Sequence, residues 1–84
     1  MGGKADRIKE IINNALKRMH KDLLARYYHD GIDGYLEEVL EHYENEELGN
    51  EALYYIIMGI AYEYSIPLSP KEVKQLRRIL EIEF

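Results

Sequence analysis

Two side chains stand at a spacing that metal chemistry uses. Glu38 and His42 are four residues apart, so on a helix a carboxylate and an imidazole share one face. Di-metal carboxylate bundles need Glu-x-x-His, with further glutamates pointing inward from other helices. Position 39, three before His42, is valine, so the pair belongs to a solvated acidic face and no metal site is expected. His20 and His29 stand alone, as boundary or surface residues. Asp30-Gly31-Ile32-Asp33-Gly34 has the glycines and aspartates of a calcium loop. It lacks that loop's alternating oxygen ligands and its closing glutamate, and is expected instead to turn the chain and start a helix. Nucleophiles are scarce: there are two serines, Ser65 and Ser69, and no threonine or cysteine. With no nucleophile beside a base and no paired carboxylates in a cleft, neither an enzyme nor a cofactor is expected.

The elements behind these residues are helices. Lys4 to Tyr28 carries Ala5, Ile8, Ile11, Ile12, Ala15, Leu16, Met19, Leu23 and Tyr27 at steps of three and four, the pattern of one long amphipathic helix. Ile32, Tyr35, Leu36, Val39, Leu40 and Tyr43 repeat that template over 31–44. Asn45 to Glu51 connects to a third helix over about 48–64, with Asn45 or Asn50 as its cap. Asp30 or Asp33 is the expected cap of the second helix. Ser69-Pro70-Lys71-Glu72 is a capping box with proline in the first helical position, opening a fourth helix over 70–82. Val73, Leu76, Ile79, Leu80 and Phe84 are expected on its buried side. Four helices with short connections in 84 residues imply an all-α domain, a compact four-helix bundle or an orthogonal helical array.

The third helix sets the functional expectation. From Ala52 to Tyr64 only Glu63 is charged, and a helix apolar all round belongs inside something. Leu53, Ile56, Ile57, Ile60 and Tyr64 share one face; Tyr54, Tyr55, Met58 and Tyr62 share the opposite one, each over roughly 100° of arc. Eight tyrosines in 84 residues exceed what a small core needs. Tyrosine and methionine favour protein interfaces, and a half-exposed tyrosine can satisfy its hydroxyl with water. The Tyr54, Tyr55, Met58 and Tyr62 face is therefore the expected contact surface, unless the first helix packs over it.

Charge indicates the kind of partner. Residues 1–28 carry a net +4, residues 29–64 a net −10 with no Lys or Arg, and residues 65–84 a net +1. Such a one-signed stretch either complements the basic first helix or draws a basic partner to it. Glu51 and the second helix's Glu37, Glu41 and Glu44 are the candidate acidic contacts. Arg7, Lys17, Arg18 and Lys21 gather on one side of the first helix and could meet phosphates, but the acidity of the remainder argues against nucleic acid as the partner. The apolar run from Ala52 to Tyr62 is about half a membrane span, and Met1-Gly2-Gly3-Lys4 leads into no apolar signal region. With no cysteine, a soluble, cytoplasmic protein is expected.

Two resemblances add to this. Glu51-Ala52-Leu53-Tyr54-Tyr55 resembles the Asp-x-x-Tyr-Tyr element of colicin nuclease immunity proteins, small acidic four-helix proteins that bind and neutralise a basic nuclease. The resemblance implies that Glu51, Tyr54 and Tyr55 contact a toxin; Ile56 stands where that family has proline. Val39-Leu40, Tyr43-Glu44, Ile57, Ile60, Tyr62-Glu63, Ile66-Pro67 and Arg77-Arg78-Ile79-Leu80-Glu81 are similar to the second half of a small helical family of unknown function from bacilli, which implies no activity. The expectation is a protein-binding module of inhibitor or immunity type with a basic partner. The alternative is a self-associating structural protein, a homodimer through the Tyr/Met face.

Overall fold

The residues expected to form one long helix form two. A computed structural model describes residues 3–83, with helices α1 (Lys4–Leu16), α2 (Lys21–His29), α3 (Ile32–Glu44), α4 (Asn50–Tyr64) and α5 (Pro70–Ile79) and, among the described residues, no strand. After Leu16 the chain tightens: Arg18 N–H donates to Ala15 O at 3.0 Å and Met19 N–H to Leu16 O at 3.1 Å. His20 is extended, and its ring accepts from Asp22 N–H at 3.3 Å, capping α2. The apolar stripe runs through this corner without a missed step, which is why periodicity predicts continuity. A long-range contact rewards the bend. The Arg18 guanidinium reaches Pro67 O at 2.9 Å, Asn14 O at 3.1 Å and the Glu72 carboxylate. The predicted grouping of Arg7, Lys17, Arg18 and Lys21 on one helix face is thus corrected, because Arg18 faces its own chain.

The other boundaries follow local chemistry. Gly31 ends α2 and caps α3 in the left-handed region at φ +72°, a conformation glycine adopts without steric penalty. Neither predicted aspartate caps α3; the Asp30 carboxylate accepts from the Tyr64 hydroxyl at 2.7 Å instead. Gly49, not Asn45 or Asn50, is the α4 cap, and Asn50 Oδ1 accepts from the Tyr43 hydroxyl at 2.7 Å. The α5 capping box forms as expected: Ser69 Oγ accepts from Glu72 N–H at 3.1 Å, and Glu72 Oε1 accepts from Ser69 N–H at 2.9 Å. That helix stops at Ile79 rather than at 82. Glu81 turns left-handed at φ 55°, and Ile82 N–H returns to Arg77 O at 2.8 Å, which satisfies a carbonyl the helix end leaves free. Phe84 lies outside the described residues.

α1 packs against α3 and α5, α2 against α3 and α4, and α3 against α4. The core is drawn from every helix: Ile8 and Ile12 of α1, Tyr27 of α2, Leu36 and Leu40 of α3, Leu53 and Ile57 of α4, Leu76 and Ile79 of α5. Among the described residues the buried set is wholly apolar or tyrosine. The radius of gyration is 12.3 Å, against about 12 Å for a compact chain of this length. The fold is an all-α helical array. Among the described residues no helix is long and apolar enough to cross a membrane.

Candidate functional site

α4, the third helix expected from sequence, is turned about its axis relative to that expectation. Leu53, Tyr54, Ile57, Ala61 and Tyr64 are buried, while Ile56, Met58 and Ile60 are only partly so. Counting 100° per residue, the buried arc is centred roughly 60° from the predicted Ile/Leu face, towards Tyr54 and Ala61. Tyr54, placed by sequence on the contact surface, is 4% exposed and leaves that surface. Its hydroxyl accepts from Arg77 Nε at 3.2 Å, and the Arg77 guanidinium lies 5.9 Å from its ring centre. A buried phenol needs such a partner, and α5 supplies one.

Tyr55 and Tyr62 remain outside. They are 64% and 89% exposed and lie within about 20° of each other around the helix. Glu51 and Gly59 are exposed beside them, and Met58 is half-buried at the margin. The first helix does not cover this face.

On one side of this ridge α4 and the start of α3 leave a shallow, open groove of about 360 Å³. Ile32 and Tyr35 form its α3 wall; Tyr55, Ile56, Gly59, Ile60, Glu63 and Tyr64 line it from α4. Tyr35 was legible as part of the α3 stripe, yet it is 47% exposed and joins the groove rather than the core. At the Tyr64 end the array is held firmly. Arg26 stacks 4.8 Å over the Tyr64 ring, the Tyr27 ring meets it edge-on at 6.0 Å, and the hydroxyl donates to Asp30. That hydrogen bond, helped by His29 and Arg26, holds the Asp30 pKa below its ordinary value.

The predicted acidic contacts divide. Glu51 lies on the exposed side of α4. Glu37 sits on the α3 flank turned to α1, with Lys9 Nζ at 3.6 Å, about 160° round the helix from Tyr35. Glu41 and Glu44 share that flank within about 40° of Glu37. The expected single surface joining Glu37, Glu41 and Glu44 to the α4 tyrosines is therefore corrected. Glu38 and His42 are the α3 groups turned more nearly toward Tyr35, about 60° and 20° away, and Glu63 is in the groove itself.

His42 holds carboxylates at both ring nitrogens, Glu47 at 2.9 Å and Glu38 at 3.9 Å. Among the described residues no group of three or more His, Cys, Asp or Glu side chains is arranged to hold a metal ion. The Glu47 hydrogen bond raises the His42 pKa above its ordinary 6.5, outweighing desolvation, with charge from Glu47, Glu38 and Glu41 acting the same way. A raised pKa stabilises the fold fully below the unfolded-state value, and that stabilisation is lost as pH rises through the folded value. Melting curves of wild type and His42→Gln are expected to separate fully below the ordinary value of 6.5 and to converge as the pH rises past the raised folded-state value. A separation unchanged across that range would show that the pair does not form.

No family model, no curated protein and no solved structure matches this chain. The site is accordingly defined by its own geometry: an apolar, tyrosine-edged groove and ridge whose charged neighbours on α3 and α4 are acidic.

Proposed function

We propose that this chain is a small acidic protein-binding module of inhibitor or immunity type, engaging a basic protein through the outward face of α4. The exposure of Tyr55 and Tyr62 supports this most directly. A 15-residue helix with one charged residue after its first turn presents two nearly free aromatic rings, 64% and 89% exposed, on a side that no other part of the array covers. Large exposed aromatics at one place mark contact surfaces. The absence of any Lys or Arg between His29 and Tyr64 supports a basic partner, since complementary potential steers association and suppresses wrong partners. The local resemblance of Glu51-Ala52-Leu53-Tyr54-Tyr55 to immunity proteins is carried here by Glu51 and Tyr55 alone.

Self-association through the same face is the second reading, because the exposed tyrosines suit it. A two-fold pair of α4 helices would bring Glu51 and Glu63 of one copy towards those of the other, which disfavours it. The test is affinity capture with the wild type and with the double variant Tyr55→Glu, Tyr62→Glu, alongside light scattering of each. A basic protein held by the wild type, released by salt and bound at least about tenfold more weakly by the variant supports the proposal. A concentration-dependent dimer that the variant dissociates supports self-association. Identical capture by both chains removes the α4 face from the function.

A further inference from the structure

We propose that the groove between α3 and α4 receives a cationic amphipathic helix of the partner, seated against Gly59; this rests on the protein-binding reading above and specifies its mode. Gly59 lies in the middle of α4, where glycine is the least favourable residue after proline. A Cβ built there meets nothing within 4 Å. No neighbouring element of this chain approaches closely enough to require the missing side chain, and the backbone there has ordinary helical geometry. Gly59 lines the groove together with the half-exposed Tyr35 and Tyr55. An incoming helix can set a bulky apolar side chain there, as amphipathic helices do when they lay one face into an apolar groove.

Strand addition is not the mode, since the described residues offer no sheet edge. Charge selects the helix's outer face. The groove walls come wholly from the stretch that has ten acidic residues and no basic one. Glu63 lies in the lining, and Glu38 and Glu51 are exposed on the same two helices. Arg26, beside the Tyr64 end, is already engaged with that ring and with Asp30 at 3.7 Å. A second copy of α4 would bring more carboxylates to this place, whereas lysines or arginines flanking an apolar strip answer them.

The test titrates the isotopically labelled full chain with a synthetic helical peptide of leucine and lysine at amphipathic spacing. Two controls have the same lysine content with the leucines scrambled, and glutamate in place of lysine. Shifts centred on Tyr35, Tyr55, Gly59 and Ile60, with affinity about tenfold above the scrambled peptide and no binding of the acidic one, support the proposal. Gly59→Leu is expected to raise the melting temperature and to weaken the peptide about tenfold. No peptide binding, shifts centred on the Glu37 flank, or unchanged affinity in Gly59→Leu overturns it. The two levels separate cleanly with the captured partner. If that partner binds Gly59→Leu normally but not the Tyr55→Glu, Tyr62→Glu variant, the helix-in-groove mode fails and the protein-binding reading stands. If it binds both variants normally, both fail.

Discussion

Leu53→Ala should lower the unfolding free energy by about 3 kcal/mol, and the melting temperature by about 15 °C. Leu53 is fully buried in the first turns of α4, with α3 and α2 as the helix's neighbours. Removing the isopropyl group there forfeits the transfer of its three carbons from water, and it leaves a space that a tightly packed core fills only in part. For a domain of this length the whole stability is about 4–13 kcal/mol, so this one truncation removes a large share. Denaturant melts followed by circular dichroism measure it. Tyr62→Ala, at a site 89% exposed, is the control and should stay within about 0.5 kcal/mol of wild type. Equal effects at the two positions would mean that α4 is rotated differently from the description above.

Arg18→Glu is the second, at about 2 kcal/mol. The Glu72 side chain is only 13% exposed and does two tasks, closing the α5 capping box and receiving Arg18. Burial pushes its pKa up, but the Ser69 backbone N–H and the Arg18 guanidinium together outweigh this and hold it below the ordinary 4.5. Reversing the charge leaves a mostly buried carboxylate opposite another one and frees the Pro67 carbonyl. Arg18 is itself about half exposed, at 46%, so water and salt screen part of the effect. A lowered carboxylate pKa stabilises the fold above the unfolded-state value, and that contribution is lost as pH falls through the folded value. The gap between wild type and Arg18→Glu should therefore be full at neutral pH and narrow once Glu72 is protonated, leaving the part owed to the Pro67 and Asn14 carbonyls. A gap that is constant down to acid pH would show that the clamp is not electrostatic.

What could be read from the residues divides along the range of the interactions. Ser69-Pro70-Lys71-Glu72 announces its helix because cap, proline and return glutamate all act within four positions. The α3 stripe places Leu36, Val39 and Leu40 in the core for the same reason. The corner at Lys17–His20 has no local sign, neither glycine nor proline nor a missed apolar step; its partner Glu72 is 54 positions away. The rotation of α4 was hidden differently. A helix apolar all round has no polar side to orient it, so Tyr54 and Tyr55, adjacent in sequence and about 100° apart on the helix, could not be told apart. Arg77, on α5, supplies a partner for the phenol that goes in, and nothing within α4 announces it. Likewise the acidic residues of α3 were visible, but which flank meets α1 and which meets α4 depends on packing that no single helix encodes.

The groove is built from residues 32–64 alone, two helices consecutive along the chain, while the array is closed by a clamp between distant segments. Short loop closure brings the groove walls together, and a much longer closure seats α5. That longer closure reaches the groove's own helix, because Arg77 of α5 donates to the Tyr54 hydroxyl at 3.2 Å and Leu76 and Ile79 share one core with Leu53 and Ile57, so the surface offered by residues 32–64 is tied to a segment far along the chain.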